Sequence, residues 1–293
     1  MELVLDLYRW LVQDRWGLGF IEEPLSDILN GQPYQIHCVT GIPKDRWYAD
    51  PFILDYDENQ IELLVEEWKY KINKGRIARL TIDRKTYQLL RETIILELDT
   101  HLSFPFIQRK DGKIYVSPEN GSAGEWNQYE YSVNSDKLTR IRTTVSEPLT
   151  DAISTSLLGE ELIFSTHHPI ANKSVLSVYN AQGVRITDVQ FPKNVARGAG
   201  DWFIFEDRVF RPAQDCSVSY GGSVIIQEVK RTGKSSFEFN DVIRLESNNP
   251  KYCRGLHTFN HYKDLTVVDV YGYRKRHLGK MTDSLLRLIK RLR

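Results

Sequence analysis

"WYADPFIL", residues 47–54, puts one acid, Asp50, between an aromatic pair and a proline at the head of an apolar run. A carboxylate at the threshold of a core strand is costly unless something pairs with it. The stretch has counterparts in "HLSFPFIQ" (101–108), "TDAISTSLL" (150–158), "ARGAGDWFIF" (196–205) and "GLHTFNHY" (255–262). These lead-ins recur at roughly 50-residue intervals, a period typical of propeller blades.

Each lead-in is followed by a second apolar run: "IELLVEEW" (61–68), "KIYVSPE" (113–119), "ELIFSTHH" (161–168), "RVFRPAQDC" (208–216) and "LTVVDVYGY" (265–273). Turn residues such as Asp57-Glu58-Asn59, Asp111-Gly112 and Lys263-Asp264 precede most of them, which is hairpin chemistry. Third strands are expected at 75–83, 127–133, 174–180 and 222–229, and fourth strands at 91–98, 138–145, 184–191 and 241–247. The fifth repeat lacks outer strands, and "PYQIHCVT" (33–40) is a spare strand able to complete that blade and close the ring. The pattern predicts an all-β fold, a five-bladed β-propeller over 33–275, in preference to a β-sandwich.

Helical extensions are expected on either side, over 1–32 and 276–293. Leu3, Leu7, Trp10 and Leu11 fall at helical spacing. "TDSLLRLIKRLR" begins with Thr282 as a candidate N-cap and gathers Leu285, Leu288, Ile289 and Leu292 on one face, with Arg287, Lys290, Arg291 and Arg293 elsewhere. Such a basic amphipathic helix either docks on the propeller or rests on an anionic membrane surface, here the inner face.

Lys+Arg and Asp+Glu balance at 39 each, so global charge gives no argument for nucleic acid. Cys38, Cys216 and Cys253 form no CxxC pair and read as reduced thiols. Glu2, Asp6 and Arg9 interrupt the apolar N-terminus, against a signal peptide, and no run of about 18 apolar residues occurs. A cytoplasmic location follows as the expectation.

In a propeller the innermost strands line a central channel, so the lead-ins converge at one mouth. Asp50 would sit on its rim in a stiff Ala49-Asp50-Pro51 turn, walled by Trp47 and Tyr48. Asp151 takes the corresponding place in repeat three, Ser103 in repeat two, Arg197 in repeat four and His257 in repeat five. Ends of second strands add Glu66 or Glu67, Glu119, His167, Arg211 and Gln214. The adjacent His167 and His168 point to opposite faces of a strand and make a poor metal pair. Trp47, Tyr48, Trp68, Trp126 and Tyr220 are candidate stacking surfaces for a saccharide. GxGxxG and the P-loop pattern are absent; no cofactor is predicted, and a divalent metal is left open.

"WYADPF", "SFPF" with "YVSPENG", "RPAQDCSVSYG" and "GLHTFN" resemble the propeller domain at the N-terminus of plant glucosamine inositolphosphorylceramide transferases and their bacterial stand-alone relatives. That domain is itself similar to the five-bladed propellers of furanosidase-type glycoside hydrolases. The resemblance covers about 40–273. It implies a first-blade Asp as general base and a third-blade Asp that tunes pKa, positions matched by Asp50 and Asp151. It also implies a Glu proton donor, but the fourth repeat offers Arg197 and Arg211 instead, and Glu119 would have to serve from another blade.

That departure has a chemical reading. A leaving alkoxide needs a proton donor, whereas a sugar carried on phosphate leaves as an anion that arginine and histidine can hold. The expectation is therefore a carbohydrate-active enzyme of polysaccharide or glycolipid biosynthesis, transferring sugar from an activated donor. Asp50 would deprotonate the acceptor while Arg197, Arg211 and His257 hold the leaving group. The alternatives are an inverting glycoside hydrolase using Asp50 with Glu119 or Glu67, and a non-catalytic glycan-binding module.

Overall fold

Every lead-in contributes to the innermost strand of a four-stranded antiparallel sheet in the computed structural model, which describes residues 14–273, 275 and 277–282. The described chain begins with β1 (Asp14–Ile21), the short helix α1 (Leu25–Leu29) and β2 (His37–Cys38). Blade 1 follows as β3 (Arg46–Tyr56), β4 (Gln60–Lys69), β5 (Gly75–Asp83) and β6 (Leu89–Leu96). Blade 2 is β7 (Ser103–Lys110), β8 (Lys113–Glu119), β9 (Trp126–Ser132) and β10 (Lys137–Val145). Blade 3 is β11 (Leu149–Thr155), β12 (Leu162–His167), β13 (Val175–Asn180) and β14 (Arg185–Gln190). Blade 4 is β15 (Phe203–Phe205), β16 (Arg208–Asp215), β17 (Ser223–Gly233) and β18 (Ser236–Leu245). Blade 5 pairs β19 (Gly255–Tyr262) and β20 (Leu265–Tyr273) with β1 and β2 from the other end of the chain. The fold is a five-bladed propeller.

Ring closure differs from the expectation in one respect. Residues 14–21, placed by helical spacing within an N-terminal extension over 1–32, form β1, the third strand of blade 5, paired with β20 from Asp14↔Tyr273 to Ile21↔Thr266. The expected strand over 33–40 shrinks to the two residues of β2, the outermost strand. "WGLGFI" alternates glycine with large apolar residues, and both glycines lie hard against neighbours: a Cβ on Gly17 would meet the Tyr252 ring at 2.6 Å and one on Gly19 would meet Ile36 at 2.4 Å. Leu18 and Phe20 of β1 pack among Val65, Ala78 and Leu80 of blade 1, so closure is a buried apolar seam. Each such side chain contributes about 1.5–3 kcal/mol. The helical expectation for Leu3, Leu7, Trp10 and Leu11 lies outside the described residues. Residues 277–282 are helical, and Thr282 sits inside that turn, donating to the Leu278 carbonyl at 2.8 Å, rather than capping its start.

Blade 4 has the least regular inner strand. Its lead-in makes an isolated bridge, Gly198↔Ala213, and becomes a strand only at Phe203. The reason is close passage against blade 5. Gly200 has φ +152°, and a Cβ there would sit 2.1 Å from the Phe259 carbonyl oxygen. The Phe259 amide donates to the Ala199 carbonyl at 2.7 Å, and the Asp201 amide donates to Asn260 Oδ1 at 2.7 Å. We expect Gly200→Ala to cost about 2–3 kcal/mol in urea unfolding, because both the backbone angle and the seam oppose a side chain. A loss below about 0.5 kcal/mol would mean that the seam yields.

Away from the mouth, Arg109 of β7 donates to the carbonyls of Ile53 and Leu54 (2.7 and 2.8 Å) and stacks on Tyr262 at 4.0 Å. It thereby ties the inner strands of blades 2, 1 and 5 at the far end of the channel. All three cysteines are free thiols.

Candidate active site

One backbone device builds the site three times over. Asp50, Phe104 and Asp151 have φ of +50°, +44° and +48°, each at a β-bulge near the start of an inner strand. A bulge leaves a residue unpaired in its ladder, so that its N–H is free to turn elsewhere. Each freed N–H meets a carboxylate of the preceding blade: Asp50 donates to Asp269 Oδ2 at 2.9 Å, Phe104 to Asp50 Oδ2 at 3.1 Å and Asp151 to Glu119 Oε2 at 3.2 Å. Aspartate tolerates the left-handed region through its short polar side chain. That is why an acid stands at the threshold of a buried strand at Asp50, which receives the amide of the next blade and sits in the turn that offers its own; Asp151 offers its amide in the same way and receives the Arg197 and Gln214 side chains instead.

Around Asp50 the chain of contacts continues into blade 5. His257 Nδ1 lies 2.7 Å from Asp269 Oδ1 and its Nε2 lies 3.4 Å from Asp50 Oδ1. Asp269 also accepts the amides of His257 (3.2 Å) and Thr258 (2.9 Å). The imidazole therefore bridges two carboxylates. Burial opposes its charged form, but Asp269 and Asp50 outweigh that and hold it protonated above the ordinary histidine range. His257 in turn keeps Asp269 ionised, below the usual aspartate value, against the pull of burial. Burial, with the charges of Asp151 and Asp269, lifts Asp50 to about 7.

On the other side of the funnel, Arg197 Nε donates to Asp151 Oδ2 at 2.5 Å and its Nη1 to Asn172 Oδ1 at 2.8 Å. Gln214 Nε2 donates to the same Asp151 oxygen at 2.8 Å and to the Gly198 carbonyl at 2.8 Å. Glu119 Oε2 is 3.9 Å from Arg197 Nη2, and burial followed by the Asp151 charge raises this carboxyl well above the ordinary glutamate range. Glu66 is raised likewise, by burial and then by Asp50. Its Oε1 lies 3.6 Å from His101 Nε2. His101 Nδ1 accepts the Gly75 amide at 2.8 Å, which fixes the ring proton on Nε2 in the neutral form. Asp50, Glu66, Glu119, Asp151 and Asp269 thus share one buried region with the cations Arg197 and His257.

The structure brings together Asp50, Glu119, Asp151, Arg197, Gln214, Tyr220 and His257. Ser103 lies directly across the strand pair from Glu119. Trp47 stands in an aromatic rim with Trp16, at 6.4 Å, and stacks on Trp68 at 5.5 Å. Tyr220 covers Arg197 at 5.0 Å and meets His257 edge-on at 5.4 Å. Asp269 and Trp16 were not anticipated. Trp16 comes from β1 and stacks on His257 at 4.2 Å and on Tyr271 at 4.4 Å. Asp269 carried a readable signal, being a lone acid inside the apolar run "LTVVDVYGY".

Five expected site residues lie elsewhere, among them Trp126, which is buried in the core against Phe106 and offers no stacking surface. Glu67 alternates with Glu66 along β4 and so faces away, where it pairs with Arg76 at 2.9 Å and Arg46 at 3.3 Å. Tyr48, its cross-strand neighbour, packs in the core between blades 1 and 5 rather than walling the funnel. His167 binds Glu147 (2.9 Å) and the Tyr179 hydroxyl (2.7 Å) in a separate network. Arg211 points to the face of β16 opposite Gln214, between the Phe191 and Phe239 rings, and donates to the carbonyls of Val195 and Ala196 and to Gln227. Burial pushes it down to about 9.

Arg211 is therefore a packing residue. We expect Arg211→Met to leave any saccharide response unchanged and to shift stability by less than about 1.5 kcal/mol, whereas Arg211→Ala should cost about 3 kcal/mol through the cavity left. Loss of saccharide response in the folded Met variant would return Arg211 to the site.

Donor atoms of Asp50, His257 and Asp269 lie within 4.8 Å of one another; His257 Nδ1 is hydrogen-bonded to Asp269 and its Nε2 stands at ion-pair distance from Asp50.

A five-bladed propeller with a carboxyl cluster buried at its axial mouth is the class of protein these observations define. More particularly, residues 37–271 match the family described as glucosamine inositolphosphorylceramide transferase 1, N-terminal, and the chain belongs to that family. Two relatives bear the name glucosamine inositolphosphorylceramide transferase 1. The one from Oryza sativa subsp. japonica is 26% identical over 212 residues, covering 68% of this chain and 28% of the relative. The one from Arabidopsis thaliana is 27% identical over 216 residues, covering 68% and 27%. The chain thus spans little more than a quarter of these relatives. Among solved structures, a GH43_1 enzyme from Xanthomonas citri superposes with a TM-score of 0.51 at 7% identity, covering 78% of this chain and 88% of that one; the likeness is of fold. The family match begins after β1, so Trp16 lies outside it.

Proposed function

We propose that the chain is a saccharide-acting enzyme that cleaves a glycosidic bond by carboxyl acid–base catalysis in the funnel. The observation that carries this reading is the pairing of two differently held carboxyls in one buried cluster. Asp50 is linked through His257 to Asp269 and is lifted to about 7, while burial and the Asp151 charge hold the Glu119 carboxyl well above the ordinary glutamate range. A base works best with a pKa near the operating pH, and a protonated carboxyl is what a leaving alkoxide requires. Asp50 would take the proton of the attacking water or hydroxyl, and Glu119 would give its proton to the departing oxygen.

The cations that favoured a phosphate leaving group give less support. Arg211 is outside the funnel, Arg197 is committed to Asp151 and Asn172, and His257 lies between two aspartates. Sugar transfer from an activated donor stays as a second reading because the family and the two plant relatives carry a transferase name, of which this chain spans about a quarter.

The test is a panel of aryl glycosides with good and poor leaving groups, alongside sugar nucleotides and sugar phosphates. Glu119→Gln should lose about 10²–10⁴-fold on poor leaving groups and little on dinitrophenyl glycosides, which need no proton. Turnover confined to phosphate-linked donors and indifferent to Glu119→Gln would favour the transferase reading instead.

A further inference from the structure

On the blade 1 side of the mouth one buried carboxyl stands without a hydrogen-bond partner. Glu66 is 6% exposed, and among the described residues no hydrogen bond reaches either of its oxygens. The charges that act on it are, in order, those of Asp50, Glu119, Asp269 and Asp151, so it faces the funnel. In the β3–β4 ladder it lies opposite Ala49, the chain neighbour of Asp50. A buried polar group left unpaired is costly, and calls for something outside the chain to complete it.

Its neighbours define what that is. His101, from the lead-in of blade 2, holds Nε2 at 3.6 Å from Glu66 Oε1, too far for a direct hydrogen bond. The ring proton is on that nitrogen, because Nδ1 accepts the Gly75 amide. Gly75 keeps the gap open: a Cβ there would sit 2.7 Å from Glu66 Oε1 and 2.6 Å from His101 Cε1. A hydroxyl in the gap can accept from His101 and donate to Glu66 at once. Trp68 follows Glu66 by two residues, so it shares that face of β4 about 7 Å farther along the strand. Its part-exposed ring lies 5.5 Å from His101 and 5.5 Å from Trp47, parallel to the latter within 4°.

We infer that Glu66, His101 and Trp68 form a second saccharide subsite beside the acid–base pair, and that the substrate is therefore an oligosaccharide of at least two sugar units. One unit sits at Asp50 and Glu119. A hydroxyl of the next bridges Glu66 and His101, and its ring lies against Trp68. Sugars present C–H faces that aromatic rings cover and hydroxyls that a few placed polar groups orient. The inference rests on the saccharide reading above and adds chain length to it.

A glycan array of one-, two- and three-unit saccharides of the common hexoses and pentoses, probed with the full chain carrying Asp50→Asn, tests it without turnover. Saccharides of two or more units should bind at least about tenfold more tightly than their one-unit homologues. Adding Glu66→Met or Trp68→Leu should lower affinity for the best-bound soluble two-unit saccharide about tenfold, and by more than for its one-unit homologue. Methionine fills the volume of Glu66 without offering the acceptor, and thermal unfolding establishes that each variant is folded. One-unit saccharides bound as tightly as two-unit ones overturn the subsite. So does a two-unit affinity that either variant leaves unchanged. Aryl glycosides of one and two units keep this inference distinct from the reading it rests on. Turnover of both with equal kcat/KM overturns the subsite and leaves the acid–base reading standing, whereas neither binding nor turnover of any saccharide overturns both.

Discussion

Asp50→Asn is expected to abolish turnover, by about 10²–10⁴-fold, and at the same time to stabilise the fold at neutral pH. The shape is preserved. Asparagine tolerates the left-handed backbone, its oxygen can accept the Phe104 amide, and its amide can donate to His257 Nε2 once that ring loses a proton. What disappears is a buried carboxyl whose charge is disfavoured, since burial lifts Asp50 from 3.8 to about 7. The sign follows from linkage. Between those two values the folded wild type holds a proton that the unfolded chain has released, so its stability falls as pH rises through that window. The variant has no such dependence at this position. Its advantage over wild type should grow from about pH 4 to about pH 7 and then level off. Thermal unfolding across that range, with turnover on whichever panel substrate responds, checks both halves. Unfolding of the variant would assign Asp50 to the turn alone, and retained turnover would remove it as the base.

Asp269→Ala should give the largest loss of stability of any single change at the site, about 4 kcal/mol or more. One carboxylate satisfies the amides of Asp50, His257 and Thr258 and the Nδ1 of His257, all buried. Removing it leaves these donors unmet and cuts the stitch between blade 5 and blade 1. Asp269→Asn separates structure from electrostatics, because it keeps an acceptor and loses the charge. Its deficit should be greatest at intermediate pH. It narrows in acid, where Asp269 itself protonates, and narrows again as pH rises through the elevated value of His257, where the imidazolium is lost. Fluorescence of Trp16, stacked on that imidazole at 4.2 Å, offers an independent readout: its quenching should follow His257 protonation and shift to lower pH in Asp269→Asn. A titration that stays in place would mean that Asp269 does not set the charge of His257.

The blade count and nearly all strand positions were legible because hairpin turns and apolar runs are local signals repeated five times. That Asp50, Asp151 and His257 would meet at the axis was legible because they head the repeated lead-ins. The misassigned residues share a cause. Glu67 and Arg211 each stand one or a few positions from a residue that does enter the funnel, and strand alternation sends them to the opposite face. Which face is buried against the channel depends on bulge position, and bulges leave no mark in composition. His167 is displaced from the site in the same way, by its network with Glu147 and Tyr179.

From the amino-acid order alone one obtains the ring, its repeat and the presence of polar residues at the head of each inner strand, since all of these are written within about 50 residues of one another. Tertiary structure alone decided that the N-terminal strand closes blade 5 and lends Trp16 to the mouth, that Asp269 is the hub, and that the arginine near Asp151 is already taken. Those facts depend on which distant groups come within hydrogen-bonding range and lose their water together, and no local pattern encodes that distance.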